Sequence, residues 1–150
     1  MTIITVRPVS EEDFSEVCSF EQGDDGCRYQ AAVFVRQAMV LWPESFLVAE
    51  LDGNLAGFLL FSTPSADPVS RWILRVRVSE GMRRQGVATA MLMRAHAIME
   101  QAGVLQVLLS CSPANEGALA LYSRMGYIRI RDEHGYFGPG EDRLILIKKV

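Results

Sequence analysis

An α/β (α+β) fold is the class this sequence predicts, and three observations carry it. Strand-like and helix-like segments alternate along all 150 residues, one tight hairpin is marked by Asp52-Gly53, and a central strand runs through a glycine-bearing link into an apolar helix. About half the chain (49%) is hydrophobic, enough for one buried core, so a single domain over residues 1–150 is expected.

Each element has its own signal. "IITVR" is β-branched and reads as a strand closed by Pro8. Ser10 with Asp13 three residues on forms a capping-box pattern, which predicts a helix from about Glu11 to Phe20, broken by "GDDG". Tyr29 to Leu41 reads as a second helix, ending before Pro43. "SFLVAELDGNLAGFLLF" is a hairpin whose turn residues tolerate positive φ. After a loop over 63–70, "RWILRVRV" alternates, with Trp72, Leu74, Val76 and Val78 on one face and Ile73, Arg75 and Arg77 on the other. "SEGMRRQG" links it to a helix whose apolar positions 87, 88, 91, 92, 95, 98, 99 and 102 keep helical spacing until Gly103. "VLQVLLS" is a strand, "NEGALALYSRM" a short helix that Asn115 caps, and "YIRIR" and "RLILIKK" are two closing strands.

Charge and cysteine usage narrow the function. A net charge of −3 is opposite to the basic surplus of a nucleic-acid footprint. Cys18, Cys27 and Cys111 show no CxxC spacing, and His96 and His134 join them in no zinc pattern, so no metal is expected and the thiols read as reduced. No apolar run approaches the roughly 20 residues that span a bilayer, and "MTIITVRPVSEED" lacks a basic-then-apolar leader. A cytoplasmic chain without membrane contact is the expectation. Against this acidic background, Arg71, Arg75, Arg77, Arg83 and Arg84 crowd one stretch with a single acid, Glu80, which suits an anionic small ligand or a solvated strand face.

The stretch "RRQGVATAML" bears on that choice. A loop entering a helix leaves several backbone N–H groups unpaired and pointing one way, a ready site for phosphate. Arg83 and Arg84 add charge, while Gly86 and Ala88 let backbone approach the ligand. The loop is neither a Walker A sequence nor GxGxxG, and by itself the pattern is weak.

"VRVSEGMRRQGVATAML", followed about 25 residues later by "NEGALALYSRMGY", resembles the GNAT N-acetyltransferase superfamily, and the element order matches over essentially the whole chain. The resemblance implies a central mixed, mostly antiparallel sheet of about six or seven strands with about four flanking helices. It also implies acetyl-CoA as cosubstrate, with Arg83, Arg84, Gln85, Gly86, Val87, Ala88 and Thr89 around the pyrophosphate. The pantetheine arm would lie beside the strand ending at Val78, pairing with the backbone of the Val76–Arg77–Val78 segment. Carried over by position, the Val78 N–H is the oxyanion donor, Tyr122 either protonates the departing thiolate or is a core aromatic at helical spacing, and Asn115 either touches pantetheine or simply caps its helix.

The tail "HGYFGPGEDRLILIKK" resembles RimI-type protein N-terminal acetyltransferases, which would place Tyr136 and Phe137 along the acceptor channel. Departures matter here. Trp72 and Ser110 stand where those relatives carry a glutamate or histidine base, and Arg143 replaces a small residue. An α-amine with pKa near 8 is already about a tenth neutral at pH 7, whereas a lysine is neutral in only about one molecule in several thousand. A missing base therefore favours a weakly basic acceptor such as a peptide N-terminus. Glu44 or Glu50 would act only through water, and otherwise both read as ordinary surface or strand-end acids. Arg75 and Arg77, if their face borders the acceptor, would favour one carrying a carboxylate. Cys111 reads as a buried small hydrophobe, not a nucleophile. A small-molecule amine acetyltransferase and a non-catalytic acyl-CoA-binding domain are the alternatives, and monomer and homodimer are both open.

Overall fold

The computed structural model describes residues 1–23, 27–64 and 66–150. The break expected at "GDDG" falls largely on 24–26, and Ser65 of the 63–70 loop is likewise outside the described residues. Two compact units divide the chain: 1–63 with 74–95, and 64–73 with 96–150.

In the first unit the strand order is β1 (Ile4–Pro8), β2 (Phe46–Leu51), β3 (Asn54–Phe61) and then β4 (Ser70–Val78). β1 and β2 are antiparallel, Ile4 opposite Leu51 and Pro8 opposite Leu47. As an edge strand β1 tolerates a proline that has no N–H to donate. The β2–β3 hairpin turns at Asp52 (φ 50) and Gly53 (φ 83), the positive-φ pair of a type I′ turn whose twist matches the strands it joins.

Both hairpin strands lack polar alternation because both faces are covered. Phe46, Val48, Phe58 and Leu60 pack against Val17 and Cys18 of α1 (Phe14–Gln22) and Val35 and Ala38 of α2 (Arg28–Leu41), with the Phe46 and Phe58 rings 5.5 Å apart. Leu47, Ala49 and Leu59, pointing the other way, are equally buried.

The first helix departs from expectation. Ser10 N–H does donate to Asp13 Oδ2 (2.8 Å), but Glu11–Asp13 forms one 3₁₀ turn and the α-helix begins only at Phe14, running on to Gln22. Asp13 is also gripped by both Arg7 amino groups at 2.8 and 2.9 Å. The tight turn places its carboxylate against both β1 and the Ser10 amide.

The second unit holds the start of β4, then β5 (Gln106–Cys111), β7 (Arg143–Lys149) and β6 (Ile128–Glu133) in that order. β4 and β5 are parallel, Ser70 to Trp72 matching Gln106 to Leu108, while β5/β7 and β6/β7 are antiparallel. With β4 contributing to both units there are seven strands among the described residues, mixed and mostly antiparallel, with four α-helices including α3 (Val87–Gln101) and α4 (Glu116–Arg124). Of the stripe its spacing predicted, α3 buries Val87, Met91, Leu92, Ala95 and Met99, while Ala88 and Ile98 are half-buried and Ala102, past the helix end, is exposed.

Candidate active site

In the first unit the end of β4 presents a directional backbone. Ser79 N–H donates to Ala56 O of β3 (2.7 Å), and the Arg77 carbonyl also faces β3, where an ideal Cβ on Gly57 would lie 2.3 Å from it. Because successive residues of a strand alternate in direction, the N–H groups of Val76 and Val78 point to the opposite edge. The Val78 carbonyl, on that edge, accepts from Arg83 Nε at 3.3 Å.

The link then tightens. Met82 N–H returns to Ser79 O (2.9 Å), Arg84 adopts φ 62 and Gly86 φ 87, and α3 starts at Val87. Ala90 N–H bonds Gly86 O at 3.0 Å, the first rung of the helix, so the amides preceding it have no helical carbonyl to meet. Arg83, Arg84, Gln85 and Gly86 are exposed, and among the described residues neither arginine makes an ion pair. Two cations and the positive end of a 15-residue helix thus converge on one exposed loop, a donor set that fits a pyrophosphate.

The run of five arginines is not a single surface. Arg71 is buried in the second unit, its Nη1 donating to the carbonyls of Pro68 (2.8 Å) and Ser70 (2.9 Å). Arg75 and Arg77 instead engage Glu21 of α1. Only Arg83 and Arg84 remain on the helix-entry loop. Glu50 likewise leaves the list of candidate bases, since its carboxylate accepts from Arg7 at 3.0 and 3.2 Å.

In the second unit Asn115 Oδ1 accepts from Ala118 N–H at 3.1 Å, which is the helix cap. Tyr122, one face of α4, is buried, and burial reinforced by nearby Cys111 pushes its hydroxyl up to about 12. A solvated phenol lies near 10, so the hydroxyl is a weaker acid than an exposed tyrosine. Its ring meets Tyr127 edge-on at 5.5 Å, and Tyr127 OH shares a buried 2.7 Å hydrogen bond with His96 Nε2. Burial, with repulsion from Lys148, pushes His96 down to about 4 and keeps it neutral at physiological pH. Cys111 is buried and its thiol is pushed up by desolvation, which leaves it inert.

Tyr136 and Phe137 stand exposed in the β6–β7 turn with their rings 4.9 Å apart. Asp142 fastens this turn by accepting from Gly135 N–H (2.7 Å), which holds its carboxyl below the usual range. Arg143 lies 5.0 Å from the Phe137 ring and pairs with Glu141 at 3.1 Å.

Sequence reasoning missed Glu21, Gly57 and the His96–Tyr127 pair. Glu21 had a signal, since it continues the stripe Phe14, Val17, Cys18 and so puts a charge on an apolar face. Gly57 interrupts a run of large apolar residues, the mark of close backbone approach.

Residues 7–127 match the acetyltransferase (GNAT) family. N-alpha-acetyltransferase 30 of Schizosaccharomyces pombe is 25% identical over 142 residues, 93% of this chain and 94% of that protein. An uncharacterized N-acetyltransferase of Methanocaldococcus jannaschii is 31% identical over 145 residues, 96% of this chain and 90% of its own length. Among solved structures, a chain of the NatC complex bound to Gag peptide and CoA matches with a TM-score of 0.84 at 23% identity, covering 98% of each chain, a likeness of fold. The class defined by these matches is the acetyl-CoA-dependent N-acetyltransferases. The chain belongs to the GNAT acetyltransferase family.

Proposed function

We propose that the chain acetylates the α-amine of a peptide or protein N-terminus. The observation that carries this reading is its likeness to an N-alpha-acetyltransferase along nearly the full length of both proteins. The exposed aromatic pair Tyr136 and Phe137 supports it as a wall for a peptide chain. Residues 1–150 are read as one acetyltransferase domain, working in the cytoplasm as a monomer or homodimer. Among the described residues no helix is long and apolar enough to cross a membrane.

In this mechanism Arg83, Arg84 and the amides from Gln85 to Thr89 hold the pyrophosphate of acetyl-CoA. The outward edge of Val76 and Val78 takes the pantetheine amides as an added strand, with the intervening Arg77 keeping the register and the Asn115 side chain contributing from its helix cap. A neutral α-amine attacks the thioester carbonyl carbon and forms the C–N bond. The oxygen gains the negative charge and accepts from Val78 N–H. The C–S bond then breaks, the nitrogen's extra proton passes to water, and the thiolate accepts a hydrogen bond from Tyr122.

Full transfer from a hydroxyl near 12 to a thiol near 8.5 is uphill by roughly three orders of magnitude, so Tyr122 stabilises the leaving sulfur chiefly by hydrogen bonding and bulk water completes protonation. No acyl-enzyme forms. Incubating the protein with acetyl-CoA and short peptides, and following CoA release with mass analysis of the peptide N-terminus, tests the reading. An acetylated α-amine supports it, whereas acetylation of only lysine side chains or small amines would replace it with another acceptor class.

A further inference from the structure

Arg75 and Arg77 occupy alternate positions of β4 and converge on one carboxylate. Arg75 Nε donates to Glu21 Oε1 at 2.8 Å, and Arg77 Nε stands 3.5 Å from Oε2. The Glu21 side chain is only 10% exposed, while those of Arg75 and Arg77 are 40% and 47% exposed. One arginine neutralises a buried glutamate; the second leaves the group with a net positive charge. Arg75 is further fixed by its Nη1 bond to Leu74 O (2.9 Å) and by stacking 4.7 Å over the Phe34 ring. Arg77 is held more loosely, since Glu21 Oε2 makes no hydrogen bond. Its amino groups therefore have donors to spare.

Position gives this charge a purpose. Arg77 directly precedes Val78, and Arg75 lies about 10 Å back along the strand. A side chain on the first or second residue of a peptide lies roughly 4–7 Å from the α-amine, so a carboxylate there reaches this pair when the amine is at the Val78 amide. In a chain of net charge −3, a cationic patch at this point is a local departure, not a general property.

Resting on the N-terminal acetylation reading, we propose that Arg75 and Arg77, anchored by Glu21, recognise a carboxylate on the acceptor, so that peptides with an acidic first or second residue are preferred. Two matched peptide pairs test this, with Glu against Gln at position 1 and at position 2. kcat/KM is measured for the wild type, Arg77→Ala and Arg77→Glu at low and high salt, alongside equilibrium binding of each peptide to the CoA-bound protein.

The expected result is a preference for Glu of roughly tenfold in one pair at low salt, shrinking with salt, falling to about one in Arg77→Ala and inverting in Arg77→Glu. The pair that shows it identifies which residue carries the carboxylate. Equal use of Glu and Gln by the wild type, or an unchanged preference in Arg77→Ala, overturns the proposal. If no peptide is acetylated, the acceptor reading fails, and the ratio of peptide dissociation constants still decides whether the carboxylate site exists. If Arg77→Ala does not fold, the wild-type ratio and its salt dependence decide.

Discussion

Gly57 of β3 and Arg77 of β4 approach so closely that a methyl group on Gly57 would come within 2.3 Å of the Arg77 carbonyl oxygen and 3.2 Å of the Val78 Cα. The atoms such a methyl would meet are all backbone, with no flexible end to move aside. The glycine thus sets where Val78 stands. Gly57→Ala is expected to destabilise the protein by about 1–3 kcal/mol and to lower kcat more than the lost stability explains. Urea unfolding and steady-state kinetics on the same preparation check this. An alanine variant with unchanged rate would separate β3 from catalysis.

Tyr122→Phe keeps the ring and removes the hydroxyl. The expected outcome is a fall in kcat of about 10²-fold with an unchanged dissociation constant for acetyl-CoA. Because burial pushes the hydroxyl up to about 12, the wild-type rate should show no alkaline fall from this group up to pH 10. A kcat that drops with a midpoint near pH 9 would assign the hydrogen-bond donor to another residue.

His96, with its ring nitrogen bonded to Tyr127, predicts a specific acid response. Its value is near 6.5 unfolded and about 4 folded, so between these values the unfolded chain binds the extra proton. The contribution of His96 is complete above pH 6.5 and is lost as pH falls toward 4, by at most about 1.4 kcal/mol per pH unit. Comparing urea midpoints at pH 7 and pH 5 for the wild type and His96→Gln checks it. The glutamine variant should lose less stability across that step, and an identical loss would mean that His96 is not buried neutral.

Much of this structure was readable beforehand, for physical reasons that differ by element. The hairpin was legible because Asp52-Gly53 imposes its own turn, and α3 because its apolar stripe has one period. The loop at 83–86 was legible because an unpaired helix start and two arginines are local features. Pairings distant in sequence were not. Glu21 meets Arg75 across 54 residues, and nothing local distinguishes buried Arg71 from exposed Arg77 on the same strand. The acidity of Tyr122 also escaped, since desolvation depends on what packs around the ring.

Acetyl-CoA held at the helix-entry loop must stabilise the folded chain, so the first measurement is the melting temperature with and without saturating acetyl-CoA. A ligand at about 100 times its dissociation constant stabilises by about 2.7 kcal/mol, which for a chain of this length should raise the midpoint by several degrees. The account predicts that rise in the wild type and a much smaller one in Arg84→Ala at the same concentration. No rise at millimolar acetyl-CoA, or an equal rise in Arg84→Ala, would contradict it.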